Sequence, residues 1–221
     1  MPPRRQPIDT DDLFAEAAKA GPLRIAPDVV LLRGFIATAP LLAEVVRISA
    51  HAPFRRLVTP GGGQMSVAMT NCGAVGWHSD ASGYRYLERD PLADRPWPPM
   101  PPGFQELANA AAGAAGFGAF APDCCLVNRY AVGTQMGVHR DHDELDLRQP
   151  IVSVSIGLPA RFVWHGLKRK DPATEVIVRD GDVMVWGRTA RPGYHGVRRL
   201  AASGHPGAPE LRFNLTFRRA R

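Results

Sequence analysis

Three separated segments carry residue types that cooperate at metal and anion sites. His139-Arg140-Asp141-His142-Asp143 sits in the second half of the chain, His195 lies well downstream, and Arg212-Phe213-Asn214-Leu215-Thr216-Phe217-Arg218 falls close to the end. On a strand, residues two apart share a face, so His139 and Asp141 can offer one imidazole and one carboxylate to a single ion. His195, after an expected strand and turn, is the candidate third ligand. Two histidines and a carboxylate leave positions open on an octahedral ion. That set suits non-haem Fe(II), whereas zinc prefers closed four-coordination with Cys or His. Alone, His-x-Asp is a weak signal, and a polar surface loop that binds nothing is the favoured reading of that motif by itself. His142 competes as a ligand, but its odd spacing turns it away. His51, His78, His165 and His205 read as ordinary surface or satisfied histidines.

The last segment alternates. Arg212, Asn214, Thr216 and Arg218 fall on one face, and Phe213, Leu215 and Phe217 on the other. Arginine grips carboxylates bidentately, so the polar face could hold a dianionic co-substrate. Six residues of strand span ~20 Å, too long for one small dianion unless the strand bends or a side chain reaches inward. Asn128 and Tyr130 form a second same-face polar pair that could help. The plain alternative is a solvated amphipathic edge strand.

These residues need a scaffold. The chain has 221 residues, 45% of them hydrophobic, enough for one well-buried core. Residues 1–24 read as an N-terminal arm, with a short helix at 13–18 after N-cap candidates at Asp9 to Asp12. Val29 to Phe35 is an expected strand. A helix is expected after Thr38, and another from Phe104 to Ala115 beyond the proline cluster. Short strands are expected at Gln64–Met69, Leu126–Tyr130, Ile151–Leu158, Arg161–His165, Thr174–Val178, Val183–Trp186 and Leu211–Phe217, with Asp180-Gly181 as a tight turn. Many short, evenly spaced strands predict a mainly β sandwich or barrel, such as a jelly roll, flanked by α-helices. Lys and Arg total 27 against 21 Asp and Glu, a net charge of +6 that favours polyanionic partners without deciding on one. Three cysteines without C-x-x-C give no disulfide framework, and the N-terminus has no apolar signal core; a cytoplasmic location is expected, with no membrane association.

Taken together, Asn128-Arg129-Tyr130, His139-x-Asp141-x-Asp143, Asp182 to Trp186, Tyr194-His195-Gly196 and Arg212-x-Asn214-x-Thr216-x-Arg218 resemble the AlkB family of Fe(II)/2-oxoglutarate dioxygenases. Thr59 to Gly62, Met65 to Gly73 and Ile151 to Pro159 extend the resemblance, which runs from about residue 25 to the end and is close to the bacterial members. It implies a double-stranded β-helix (jelly-roll) core at roughly 120–221 and a nucleotide-recognition lid at roughly 54–100, within one domain covering 25–221. It implies Fe(II) on His139, Asp141 and His195. It implies 2-oxoglutarate on Arg212 (distal carboxylate) and Arg218 (iron-chelating end), helped by Asn128, Tyr130 and Asn214. The implied reaction consumes O2 and 2-oxoglutarate, with ascorbate helpful in vitro. It demethylates 1-methyladenine and 3-methylcytosine in single-stranded DNA, with double-stranded DNA and RNA as further candidates, and releases formaldehyde.

Both lesions are cations at neutral pH, which gives Asp143 a role at the reacting base through charge attraction. Trp77 and Tyr84 match lid positions that contact the damaged base, Arg169 a substrate contact, and Met69 and Trp186 the pocket wall. The chain departs from the bacterial pattern at Gly63, at His78 to Ser82 and at Arg188 to Gly193. The liganding positions show no departure. A protein or small-molecule hydroxylase on the same iron site, and a non-catalytic nucleic-acid-binding protein with a structural metal, remain open alternatives; a monomer is the default.

Overall fold

A computed structural model describes residues 21–202 and 210–221; the expected helix at 13–18 and His205 lie outside them. The core is two antiparallel sheets face to face. The larger contains β1 (Leu23–Ala26), β2 (Val29–Leu32), β3 (Ala68–Gly73), β8 (Cys124–Ala131), β10 (Ile151–Gly157), β13 (Val183–Trp186) and β15 (Leu211–Arg218), in the order β1-β2-β13-β10-β15-β8-β3. The smaller has the order β12-β11-β14-β9, from β9 (Met136–His139), β11 (Ala160–Gly166), β12 (Thr174–Val178) and β14 (Tyr194–Val197). Two hairpins stand apart: β4 (Gly76–Asp80) with β5 (Gly83–Leu87), and β6 (Arg89–Asp90) with β7 (Arg95–Pro96).

The period of two in the strands decides what lies on each side of the large sheet. Val152, Val154 and Ile156 of β10, with Leu215 and Phe217 of β15, face helices α1 (Ala39–His51) and α2 (Pro102–Ala114). Those helices present Leu41, Val45, Ile48, Phe104, Leu107 and Ala111 in return, and Phe104 meets Phe217 edge-on at 5.7 Å. Burying side chains of this size stabilises by about 1.5–3 kcal/mol each. The other face holds a second cluster between the sheets, in which Met69, Leu126, Met184 and Trp186 pack on Phe162, Trp164 and Val197. Into this inter-sheet space the polar face of β15 also projects.

Several boundaries differ from expectation. The strand expected at Gln64–Met69 begins at Ala68, because the segment before it makes only an isolated bridge, Val58 with Gln64. The strand from Val29 stops at Leu32, where Gly34 turns the chain with φ of +52°. α1 starts after Thr38 as expected, but the Thr38 hydroxyl donates to Asp180 rather than capping the helix. The Asp180-Gly181 turn is present, with Gly181 at φ +78° and a Cβ there lying 2.6 Å from the Ile36 carbonyl oxygen. β1, β4, β5, β6, β7 and β14 were not anticipated; each is short and lacks clean alternation.

Candidate active site

His195 on β14 is the direct cross-strand partner of His139 on β9, and their rings stand 4.5 Å apart. Asp141 completes the group, with carboxylate oxygens 3.8 Å from Nε2 of each histidine. The three ligand atoms lie within 4.8 Å of one another. The expectation that His139 and Asp141 share a strand face is corrected: β9 ends at His139, and Asp141 stands in the loop beyond. What places Asp141 is Arg191, whose Nη1 donates to its carbonyl at 2.8 Å.

Both histidines are oriented the same way. Nδ1 of His139 donates to the Gly137 carbonyl at 2.8 Å, and Nδ1 of His195 to the Gly193 carbonyl at 3.1 Å. A carbonyl only accepts, so the proton sits on Nδ1 and each Nε2 lone pair faces the site. Burial, and then His139 beside it, push the His195 pKa down to about 3, so the ring is neutral and ready to ligate. Burial alone would raise Asp141; Arg218, followed by the two histidines, outweighs it and holds the carboxyl well below its ordinary range. Trp186 flanks His195 at 4.8 Å, and Phe162 and Trp164 stack beside it at 5.9 and 6.2 Å.

The polar face of β15 is buried, not solvated. Arg212, Asn214, Thr216 and Arg218 are all inside, because β15 is a central strand flanked by β10 and β8. Arg218 donates to Asp141 Oδ2 at 2.9 Å. Among the described residues Arg212 has one hydrogen-bond partner, Ser155 Oγ at 3.2 Å, and its guanidinium lies 5.7 Å from the Tyr130 ring centre. Among the described residues, Nε and Nη1 of Arg212 and Nη1 of Arg218 are buried donors without partners, and Oδ1 of Asn128 is a buried acceptor without one. Unpaired buried polar groups are rare and costly. This concentration of free, cationic donors beside the triad fits a small dicarboxylate.

Asn214 differs from Asn128. Its amide donates to Ser153 Oγ at 2.8 Å and the Val154 carbonyl at 3.0 Å, while its oxygen accepts from Thr216 at 2.8 Å and Asn128 at 3.3 Å. Its hydrogen-bonding capacity is filled, so it orients Asn128 and has nothing left for a ligand.

Two of the residues expected in a lid, Trp77 and Tyr84, come together beside Asp143. Trp77 on β4 donates Nε1–H to Asp143 Oδ2 at 2.9 Å. Tyr84 on β5 stacks against Trp77 at 5.5 Å and 15°. Met69 is buried in the inter-sheet cluster against which Trp77 packs. Arg169 stands apart, exposed between β11 and β12. His142, His51 and His165 are outside the triad, each with a ring nitrogen on a backbone carbonyl. Sequence reasoning missed Ser153, Ser155, Glu144, Arg191 and Tyr86. The serines carried a signal, since they interrupt an apolar strand at the same period as the β15 polar face; the others carried none.

A jelly-roll sandwich with two histidines and a carboxylate between its sheets, and arginine nitrogens without partners beside them, defines a non-haem iron oxygenase. A profile of the 2OG-Fe(II) oxygenase superfamily matches residues 28–218. The chain is 51% identical to the alpha-ketoglutarate-dependent dioxygenase AlkB of Salmonella typhimurium, over 95% of this chain and 97% of that protein. It is 49% identical to the protein of the same name from Escherichia coli, again over 95% and 97%. The solved structure of OsALKBH1 superposes with a TM-score of 0.78 at 25% identity, covering 90% of this chain and 99% of that one. The chain belongs to the AlkB family of the 2OG-Fe(II) oxygenases, and its chemistry uses Fe(II), 2-oxoglutarate and O2. Among the described residues, no helix is long and apolar enough to cross a membrane.

Proposed function

We propose that this protein oxidatively demethylates alkylated nucleobases, 1-methyladenine and 3-methylcytosine above all, as direct-reversal repair of DNA. The carrying observation is the contact between Trp77 and Asp143, two residues beyond Asp141. It puts an aromatic face and a carboxylate together at the metal site, the pairing that a flat, cationic base requires. A protein or small-molecule hydroxylase would have no use for it.

His139, Asp141 and His195 are the ligands for Fe(II) in this reading, and the iron supplies O2 activation coupled to oxidation of 2-oxoglutarate to succinate and carbon dioxide. Arg212, with Tyr130, takes the distal carboxylate through its unpartnered nitrogens. Arg218 takes the end nearest the metal, and Asn128, oriented by Asn214, offers a further polar contact. Six residues of strand separate the arginines by ~20 Å at the backbone, and side chains reaching inward from both ends leave space for a short dianion. Trp77 and Tyr84 stack on the base, Met69 and Trp186 wall the pocket, and Asp143 favours the cation over the neutral base. Arg169, exposed on the surface, serves in this reading as a phosphate contact rather than as a reader of the lesion.

The base must leave its stack to reach this interior, which costs least in single strands. Single-stranded DNA is therefore the preferred substrate, with double-stranded DNA and RNA secondary. The working form is a cytoplasmic monomer, its catalytic domain beginning near residue 25. The test is release of formaldehyde from a single-stranded oligonucleotide carrying one 1-methyladenine, with Fe(II), 2-oxoglutarate and ascorbate supplied. Release that stops when either Fe(II) or 2-oxoglutarate is omitted is expected. 2-Oxoglutarate turnover without formaldehyde, on every methylated oligonucleotide tried, overturns the reading.

A further inference from the structure

Glu144 directly follows Asp143, and its carboxylate side chain is only 1% exposed. Three groups converge on it. The Tyr86 hydroxyl donates to Oε1 at 2.6 Å. Arg218 Nε stands 3.3 Å from Oε1, and Arg191 Nη2 stands 2.9 Å from Oε2, close enough for an ion pair though not aligned as a hydrogen bond. Both arginines are also attached to Asp141, Arg218 at its carboxylate and Arg191 at its carbonyl. Arg191 additionally donates to the Gln149 carbonyl at 3.0 Å.

The remaining link runs through the β4–β5 hairpin. Tyr86 is the cross-strand partner of Trp77. The hairpin bearing Trp77 and Tyr84 is thus fastened at two points to one short stretch of chain: Trp77 to Asp143, and Tyr86 to Glu144. That stretch begins at Asp141, the carboxylate of the triad. A buried ionic cluster is a poor way to gain stability, since apolar side chains of similar volume do as well or better. What it provides is fixed direction, because each hydrogen bond and ion pair is satisfied in only one arrangement.

We infer that Glu144 is a positioning residue that sets the distance between the base-stacking hairpin and the metal ligands, and through it the fraction of 2-oxoglutarate turnover that ends in demethylation. This rests on the reading of Trp77, Tyr84 and Asp143 as the base site. Misplacement of a reacting group by about 1 Å can cost up to a hundredfold in rate. A hairpin released from Glu144 leaves iron and co-substrate reactive but puts the methyl group out of place. The signature is uncoupling: succinate accumulates in excess of formaldehyde.

The experiment compares Tyr86→Phe, which keeps the ring and removes one hydrogen bond, with Glu144→Gln and the double variant. Succinate and formaldehyde are measured together on an oligonucleotide carrying one 1-methyladenine. Tyr86→Phe is expected to raise succinate per formaldehyde severalfold while the KM for 2-oxoglutarate moves less than twofold. Glu144→Gln raises the ratio and also raises that KM, because Arg218 loses a partner. The double variant is no more uncoupled than Glu144→Gln alone, since both act through one link. A second readout needs no turnover. Trp97, Trp164 and Trp186 are buried and Trp77 is half-buried, so acrylamide quenching of the metal-free protein reports chiefly on Trp77. Quenching increases in both single variants. Unchanged ratios and quenching, with only a lower melting temperature, overturn the inference and leave a structural ion pair. Trp77→Ala separates the two failures. If it abolishes formaldehyde release while the ratios hold, this inference alone falls; if release persists undiminished, the base site falls and takes the inference with it.

Discussion

Replacing Asp143 by Asn tests whether charge selects the substrate. The amide oxygen of Asn still accepts the Trp77 Nε1 hydrogen that Asp143 receives at 2.9 Å, so the hairpin contact survives while the charge is lost. The Asp143 side chain is 22% exposed, which places its field between interior and bulk solvent. Two unit charges ~4 Å apart interact by ~1 kcal/mol in water and ~4 kcal/mol at a partly screened protein site. An intermediate value of about 2 kcal/mol corresponds to roughly thirtyfold in kcat/KM. The loss should appear for 1-methyladenine and 3-methylcytosine, which carry positive charge at neutral pH. It should be near unity for a neutral lesion such as 3-methylthymine. The assay is kcat/KM by formaldehyde release on matched single-stranded oligonucleotides, with substrate-free 2-oxoglutarate turnover as the internal control. Equal losses on cationic and neutral lesions would refute charge recognition and reduce Asp143 to a support for Trp77. A parallel loss of substrate-free turnover would place the fault at the metal instead.

Three further outcomes follow from the site. Arg212→Met should weaken 2-oxoglutarate binding by about 3 kcal/mol, since two charge-assisted hydrogen bonds are worth ~1.5–3 kcal/mol each, without lowering the melting temperature of the ligand-free protein, because it removes a buried cation with unpartnered nitrogens; unchanged affinity by calorimetry with Mn(II) sinks the assignment. The metal-free protein should lose stability on acidification: His195 has its pKa pushed down to about 3. The unfolded chain takes up that proton near pH 6.5, so stability complete above pH 6.5 falls by ~1.4 kcal/mol per pH unit down to the folded value. His195→Gln should flatten urea midpoints over that window, and an unchanged slope contradicts it. Gly193→Ala should cost about 1–3 kcal/mol by overpacking and weaken Co(II) binding. A Cβ there would stand 2.2 Å from Trp164 Cη2, and the Gly193 carbonyl orients His195. Adding Trp164→Phe, which removes the clashing ring atoms but not the 2.9 Å approach of the same Cβ to the Ala190 carbonyl oxygen, should recover part of the Co(II) affinity, and no recovery at all would exclude the Trp164 clash as the cause.

How far the sequence carries depends on whether a signal is local. The alternation in β15 was legible because a period of two is written into neighbouring residues. So were β12 and β13, whose bounds match expectation. The same alternation could not say which face was wet. A row of Arg, Asn, Thr and Arg reads as solvated by default, because charged side chains are almost never fully buried unless paired. Here β10 and β8 flank the strand, the smaller sheet covers its polar face, and Asp141 pairs with Arg218. The triad was legible as residue types, but the route to its geometry was not. Asp141 owes its place to Arg191 rather than to a strand face, and nothing near Asp141 in the chain announces Arg191. Glu144 was invisible for the same reason, since each of its three partners comes from a different part of the chain.

The altered stretch from Arg188 to Gly193 shows how such non-local terms balance. Gly193 has no side chain where the Trp164 ring presses against the backbone, and Trp164 lies opposite His195 across the strand pair. A large residue on β11 and an absent one before β14 are one packing solution to holding the same imidazole. Read singly, Gly193 is only the end of a stretch that departs from the pattern. Read as a pair, they leave the Nδ1 contact of His195 with the Gly193 carbonyl in place, and that contact is what keeps Nε2 directed at the metal site.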